Sequence, residues 1–309
     1  MSPDLVWLKS RNAHIYATLQ DTVRGYDKAI YLGGNSGTAA EATITDAITS
    51  FNSDGYTLGT RSTVNYTGRT YVGWAWDAGS STASNTDGSQ TSQVRVNQTA
   101  GFSIATFNTP SPSANFTYGH GLNSAPELVI HKFRGVSSNW YVYHKSIGQK
   151  YINLNGADAA ATNEFTTAPT SSVFTYPSSL IIGADEPVVA YSFTSVAGYS
   201  AFGSYEGNAN NDGPFVYTGF RPAFVLTKWA DGTDQWQIHD TSRSPDNVAS
   251  EILIPNTTSD EKNYVDSEID ILSNGFKLRN SNQNINAAST YIYAAFAENP
   301  FQANGGLAR

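Results

Sequence analysis

Apolar and polar positions alternate along most of this chain, and one such pattern is written three times. Pro3 to Lys9 reads PDLVWLK, Pro126 to Lys132 reads PELVIHK, and Pro222 to Lys228 reads PAFVLTK. Leu5 and Trp7, Leu128 and Ile130, and Phe224 and Leu226 fall at period two, the spacing of one strand face. The leading proline lacks a donor, which is tolerated where a strand begins. A second strand follows each time: IYATLQDTVR, NWYVYHKSIG and QWQIHDTSRS. Trp140 and Trp236 hold the same place in two of these. Asp21 and Arg24 match Asp240 and Arg243, while His144-Lys145 stands there in the middle copy. Third strands (AIYLGGN, YINLNGA, EILIPNT) run into polar stretches, and turn dipeptides such as Asp54-Gly55 and Asn274-Gly275 precede further β-rich runs. TYVGWAWDAG, PVVAYSFTSV and TYIYAAFAEN close each copy with the aromatic and β-branched content of core strands.

The pattern predicts an all-β protein with three internal repeats of a β-sandwich-like unit, set in a row or around a pseudo-threefold axis. Residues 1–79 form the first repeat, 100–196 the second and 197–309 the third. Residues 80–99, rich in Ser, Thr, Gln and Asn, read as a linker or long surface loop. The second and third repeats share leader segments, AGFSIATF with AGYSAFGSY and NFTYGHGLNSAPELV with PFVYTGFRPAFV. The first repeat has no such leader. Its edge is therefore expected to pair with residues 80–99, to be capped by another chain, or to stand bare.

Composition narrows the function. The 309 residues carry 18 Lys and Arg against 26 Asp and Glu, a net charge of −8 with no basic stripe, which argues against a nucleic-acid partner. No apolar run approaches the length of a membrane span, and Asp4 and Lys9 interrupt any signal-peptide-like start. Cysteine is absent, so disulfides, thiolate metal sites and thiol nucleophiles are excluded.

Candidate chemistry is sparse. No G-x-S-x-G or H-E-x-x-H motif occurs, and His14, His120, His131, His144 and His239 are scattered as polar surface or loop residues. No catalytic residue and no cofactor is assigned. Asp21 with Arg24 and Asp240 with Arg243 read as ion-pair clamps inside a repeat. Asn208, Asn210, Asn211 and Asp212 offer oxygen atoms, but their spacing matches no calcium loop and suits a turn, so no metal is assigned. Trp7, Trp74, Trp76, Trp140 and Trp236 lie inside strand patterns and read as core. Trp229 stands where the other copies have Phe133 and Ser10, just before Asp231 and Asp234, and is the candidate exposed ring for stacking on a sugar. Asp260, Glu261, Asp266, Glu268 and Asp270 read as a solvated acidic loop.

The phrases SPDLVWLKSRN, DTVRG, SFNSDGYTLG, YGHGLNSAPELVIHK, APTSSVFT, GPFVYTGFRPAFVLTKW and STYIYAAFAENPF, in that order, resemble a repeat domain of marine bacteriophages, chiefly cyanophages. Members are described as tail-fibre, virion structural or capsid-knob proteins. The resemblance implies a structural protein on the virion surface, made in the cytoplasm of the host bacterium, with other virion proteins as partners. The first expectation is a tail-fibre-type adhesin for a host-surface glycan or protein. The second is a decoration protein that binds virion proteins alone. The third is a polysaccharide-degrading tail enzyme. A homo-oligomer is compatible with each, and no nucleic-acid contact or membrane insertion is expected.

Overall fold

The structure, a computed structural model, describes residues 1–34, 38–162, 164–263 and 265–298. The fold is all-β. The strands of the first part are β1 (Leu5–Ser10), β2 (Ala17–Asp21), β3 (Gly25–Leu32), β4 (Ala42–Thr43), β5 (Ile48–Asn52), β6 (Gly55–Leu58) and β7 (Tyr71–Trp76). There follow β8 (Thr82–Asn85), β9 (Ser92–Asn97), β10 (Phe102–Asn108), β11 (Phe116–Gly119), β12 (Leu128–Phe133), β13 (Trp140–His144), β14 (Ile152–Asn153), β15 (Val173–Tyr176) and β16 (Pro187–Phe193). The last part holds β17 (Ser200–Glu206), β18 (Phe215–Tyr217), β19 (Pro222–Trp229), β20 (Gln237–Asp240), β21 (Glu251–Ile252), β22 (Lys262–Asn263), β23 (Ile269–Leu272), β24 (Gly275–Leu278) and β25 (Thr290–Ala297).

Three large antiparallel sheets carry the architecture, ordered β4-β3-β2-β1-β7, β14-β13-β12-β16-β10-β9-β8 and β17-β25-β19-β20. In each, the strand of the PDLVWLK type lies between its hairpin partner and the closing strand. Leu5 faces Trp76, Leu128 faces Phe193, and Phe224 faces Phe296 across the ladders. Residues 80–99 do not form a linker or loop. Ser92–Asn97 pairs with β10 and Thr82–Asn85 with β9, which widens the second sheet. Composition concealed this hairpin, because its outer strand is built from exposed Thr82, Ala83 and Ser84.

Alternation sends the two faces of each large sheet to different cores. Leu5, Trp7, Leu128, Ile130, Phe224 and Leu226 all join one central cluster, together with Trp74, Trp76, Trp140 and Trp236. The opposite faces carry Val6 and Leu8, Val129 and Phe133, and Val225, each packed in a separate cluster under its own small sheet. Each large sheet thus has one face in the shared central cluster and the other in a cluster of its own. At the centre lies an apolar cavity of about 30 Å³ between Leu5, Leu128, Phe224, Trp76, Phe193 and Phe296.

Polar contacts join each third of the molecule to the next in a closed ring. The Trp140 indole donates to the Tyr31 carbonyl at 3.2 Å, and that of Trp236 to the Asn153 carbonyl at 2.9 Å. Lys132 donates to Ser138 Oγ at 2.9 Å and reaches the Thr38 carbonyl at 3.5 Å, while Lys9 donates to the Thr257 carbonyl at 3.0 Å. Ala160 N–H donates to the Ala230 carbonyl at 2.8 Å, beside Lys228. The three lysines end the central-core face of their strands and are fully buried. Burial pushes each ammonium down to about 8.

Candidate functional site

The Asp-x-x-Arg clamps form, and they do more than close a turn. Arg24 is ion-paired with Asp21 and bonds Glu41 at 2.8 Å, while Arg134 grips the same Glu41 at 2.9 Å from the second sheet. Arg243 pairs with Asp240 at 2.6 Å and with Glu261 at 3.0 Å, and Arg11 of the first sheet meets Glu261 at 2.7 Å. Burial alone would raise Glu41 and Glu261, but the flanking guanidiniums hold both carboxyls below their ordinary value. His144 occupies the matching place in the second sheet and donates from Nε2 to the Tyr293 carbonyl of the third at 3.2 Å. These groups are structural joints, fully occupied by one another.

Several sequence expectations are corrected here. Glu261 and Asp270 are not part of a solvated loop, because Arg243, Arg11 and Arg279 claim them. His120, His131, His144 and His239 are buried rather than on the surface. Burial pushes His131 down to about 3 and His144 and His239 down to about 4, so they are neutral packing groups. Trp229 is not an exposed platform. It is half-buried, stacked on Tyr291 at 6.1 Å, and its indole N–H donates to Ser289 Oγ at 2.8 Å. Gly232 closes over its ring, since a Cβ there would lie 2.2 Å from Cε2. Asp231 is exposed on the adjoining turn. Asp234 lies half-buried, with its own carboxylate accepting from Gln235 N–H.

The Asn208–Asp212 loop divides. Asn208 and Asn210 spend their side-chain oxygens on the backbone N–H groups of Asn210 and Asp212 and on the Asn286 amide. That is turn chemistry, and it leaves no oxygen cage for a cation. Asn211 and Asp212 instead point to the most promising surface. Asp212 pairs with Lys277 at 2.8 Å, which lowers its carboxyl below the ordinary value. Asn211 lines a polar groove of about 360 Å³ with Asp266, Glu268, Arg279, Ser281 and Asn282.

This groove borders the outward face of the small sheet β18-β24-β23. Val216, Phe276, Leu278, Ile269 and Ile271 turn inward to the third core. Alternation therefore turns Phe215, Tyr217, Lys277 and Asp270 outward. Phe215 is 44% exposed and Tyr217 67%. Phe215 lies across from Lys277 and leans over Gly275, where a Cβ would stand 2.9 Å from its ring. Asp270 is tied to Arg279, which fixes the charged side of the groove. The outward face thus carries two solvent-facing rings across from Lys277 and Gly275, and the amides, hydroxyl and charges of the groove lie past the Arg279 end of β24.

Sequence reading missed Phe215 and Tyr217 because they match Phe116 and Tyr118 in the leader phrases. Those two are buried in the second core, where Tyr118 stacks on Phe107 at 4.2 Å. In β11 the residue between them is Thr117, and residues 89–90 bond to it from above. In β18 it is Val216, which takes the inward side and flips both rings out, the consequence of a one-residue change of phase. A larger concavity of about 850 Å³ lies near Ser2, Asp77, Arg95 and Asn97, but it lacks aromatic rings and Arg95 is paired with Asp4 at 2.7 Å.

Among the described residues no cluster of His, Asp and Glu is arranged to hold a metal ion, and no helix is long and apolar enough to cross a membrane. No curated protein and no solved structure matches the chain. The family model described as a domain of unknown function, DUF7483, matches residues 1–300, and the chain belongs to that family.

Proposed function

We propose that this protein is a structural component of a bacteriophage surface that binds a host-cell glycan through the outward face of β18, β24 and β23. The single observation that carries the binding site is the outward face on which exposed Phe215 and Tyr217 stand with Lys277, past whose Arg279 end a polar groove opens, lined by Asn211, Asp266, Glu268 and Asn282. Ring faces stack on the apolar side of a sugar, and amides and charged groups bond its hydroxyls. The virion assignment is supported by the ordered phrases shared with the marine phage repeat domain. The rigid three-sheet scaffold under a loop-flanked site suits recognition.

The decoration reading is favoured by a different feature, the outer edge of β7, which no strand covers among the described residues. Glycan arrays and whole-cell binding assays decide between them. Binding to a host glycan that Tyr217→Ala abolishes supports adhesion, and absence of binding to any host surface favours decoration. Release of reducing ends from host polysaccharide would instead establish the enzymatic reading.

A further inference from the structure

Among the described residues the closing strand has two neighbours in the second and third sheets and one in the first. β16 lies between β12 and β10, and β25 between β19 and β17, whereas among those residues β7 pairs with β1 alone. The bond from Arg11 N–H to the Thr70 carbonyl sets the phase of the β1–β7 ladder. The backbone groups of Tyr71, Gly73 and Ala75 then point away from β1, and among the described residues no strand takes them up.

Side chains mark the same gap. In the second sheet β10 lays Phe102 on Phe193 of the closing strand, with ring centroids 4.6 Å apart. In the third, Phe202 of β17 comes within 5.7 Å of Phe296. Trp76 holds the corresponding place in the first sheet. It borders a cavity of about 300 Å³, lined also by Met1, Trp74, Phe224 and Phe296. A long bare edge beside an apolar hollow is a template for strand addition.

We propose that the β7 edge receives an antiparallel strand donated by a partner protein. The two filled edges define its chemistry: an extended segment with a large apolar side chain at alternate positions, one of them beside Trp76, as β10 presents Phe102 and Ile104. A second copy of this chain is a poor donor, because its β10 and β17 are already held in their own sheets. Main-chain bonds to Tyr71, Gly73 and Ala75 supply affinity, and the ring entering the hollow supplies register.

The test uses the full chain and a labelled peptide with the sequence of residues 100–108, followed by fluorescence anisotropy, with a photoreactive group to locate the contact. Saturable one-to-one binding with cross-links to residues 71–76 supports the proposal. It also requires at least tenfold weaker binding by peptides carrying Phe102→Asp or Ile104→Pro, and unchanged binding by the Tyr217→Ala chain. Absence of binding overturns it. So does binding that appears only after residues 299–309 are removed, which would give the edge to the chain's own segment. A concentration-dependent dimer that the peptide disperses would give it to a second copy and equally overturn the proposal.

Discussion

The indole N–H of Trp74 donates to the carboxylate of Asp240 at 3.2 Å, across 166 positions of sequence. Tyr191 makes the counterpart bond to Asp21 at 2.8 Å. A buried carboxylate of one sheet is thus shared between its own arginine and an aromatic donor from the next. Trp74→Phe keeps an aromatic ring, smaller than the indole, and removes the donor. It is expected to cost about 1.5–3 kcal/mol, the range for a hydrogen bond to a charged group, in urea unfolding.

Arg24→Met and Arg243→Met each leave carboxylates buried without their cation. Loss of about 3–5 kcal/mol is expected from either, again by chemical denaturation. Replacing Arg24 and Asp21 together by apolar residues should cost less than Arg24→Met alone, since the pair bears a desolvation penalty that its removal relieves.

Stability should fall in mild acid. His131 titrates at about 3 and His144 and His239 at about 4 in the folded chain, against 6.5 when exposed. Below pH 6.5 the unfolded chain binds protons that the folded chain refuses, so the stability present above that pH is lost as pH falls. Each histidine contributes up to about 1.4 kcal/mol per pH unit. Denaturation midpoints measured from pH 7 to 5 check this, and a His239→Gln variant should show a shallower slope.

The buried lysines act in the opposite region. Lys9, Lys132 and Lys228 titrate at about 8 when folded and at 10.5 when exposed. Between those values the unfolded chain again holds the extra protons, so stability should rise with pH by up to about 1.4 kcal/mol per unit for each. Above pH 10 buried tyrosines such as Tyr118 and Tyr191, whose hydroxyls burial raises, turn the curve down. Lys132→Met should flatten the rise.

Tyr217→Ala and Trp229→Ala separate binding from packing. The first should leave stability within about 0.5 kcal/mol, as for exposed positions, while cutting glycan affinity at least tenfold. The second should destabilise by about 3 kcal/mol, as the loss of a packed aromatic does, and leave glycan affinity of the folded fraction unchanged. Isothermal calorimetry alongside urea unfolding reads both.

Strand positions were legible because Leu5, Trp7, Leu128 and Ile130 alternate with residues that serve a second face. What alternation does not reveal is which of two apolar faces turns inward, and so it did not single out Phe215 and Tyr217 as exposed. Trp229 was misread for a related reason: its burial depends on Gly232, which folds back over it from the following bend, and on Tyr291, which packs on it from β25. Lys9, Lys132 and Lys228 look like solvated strand ends in one dimension. Their burial follows from carbonyls such as that of Thr257, brought close by distant folding. Glu261 was likewise assigned to solvent because one of its arginine partners, Arg11, lies far away in the chain.

The closed ring of contacts has a consequence for the protein's birth. During synthesis Leu5, Trp7, Trp74 and Trp76 emerge long before Ile292 and Ala294, which share their core. Glu41 waits for Arg134, and Arg11 waits for Glu261. Such non-local pairing delays folding until the segment that carries Ile292 and Ala294 has emerged. Until then the nascent chain carries an aromatic, aggregation-prone surface, and its yield in a cell should track the supply of chaperones that shield it.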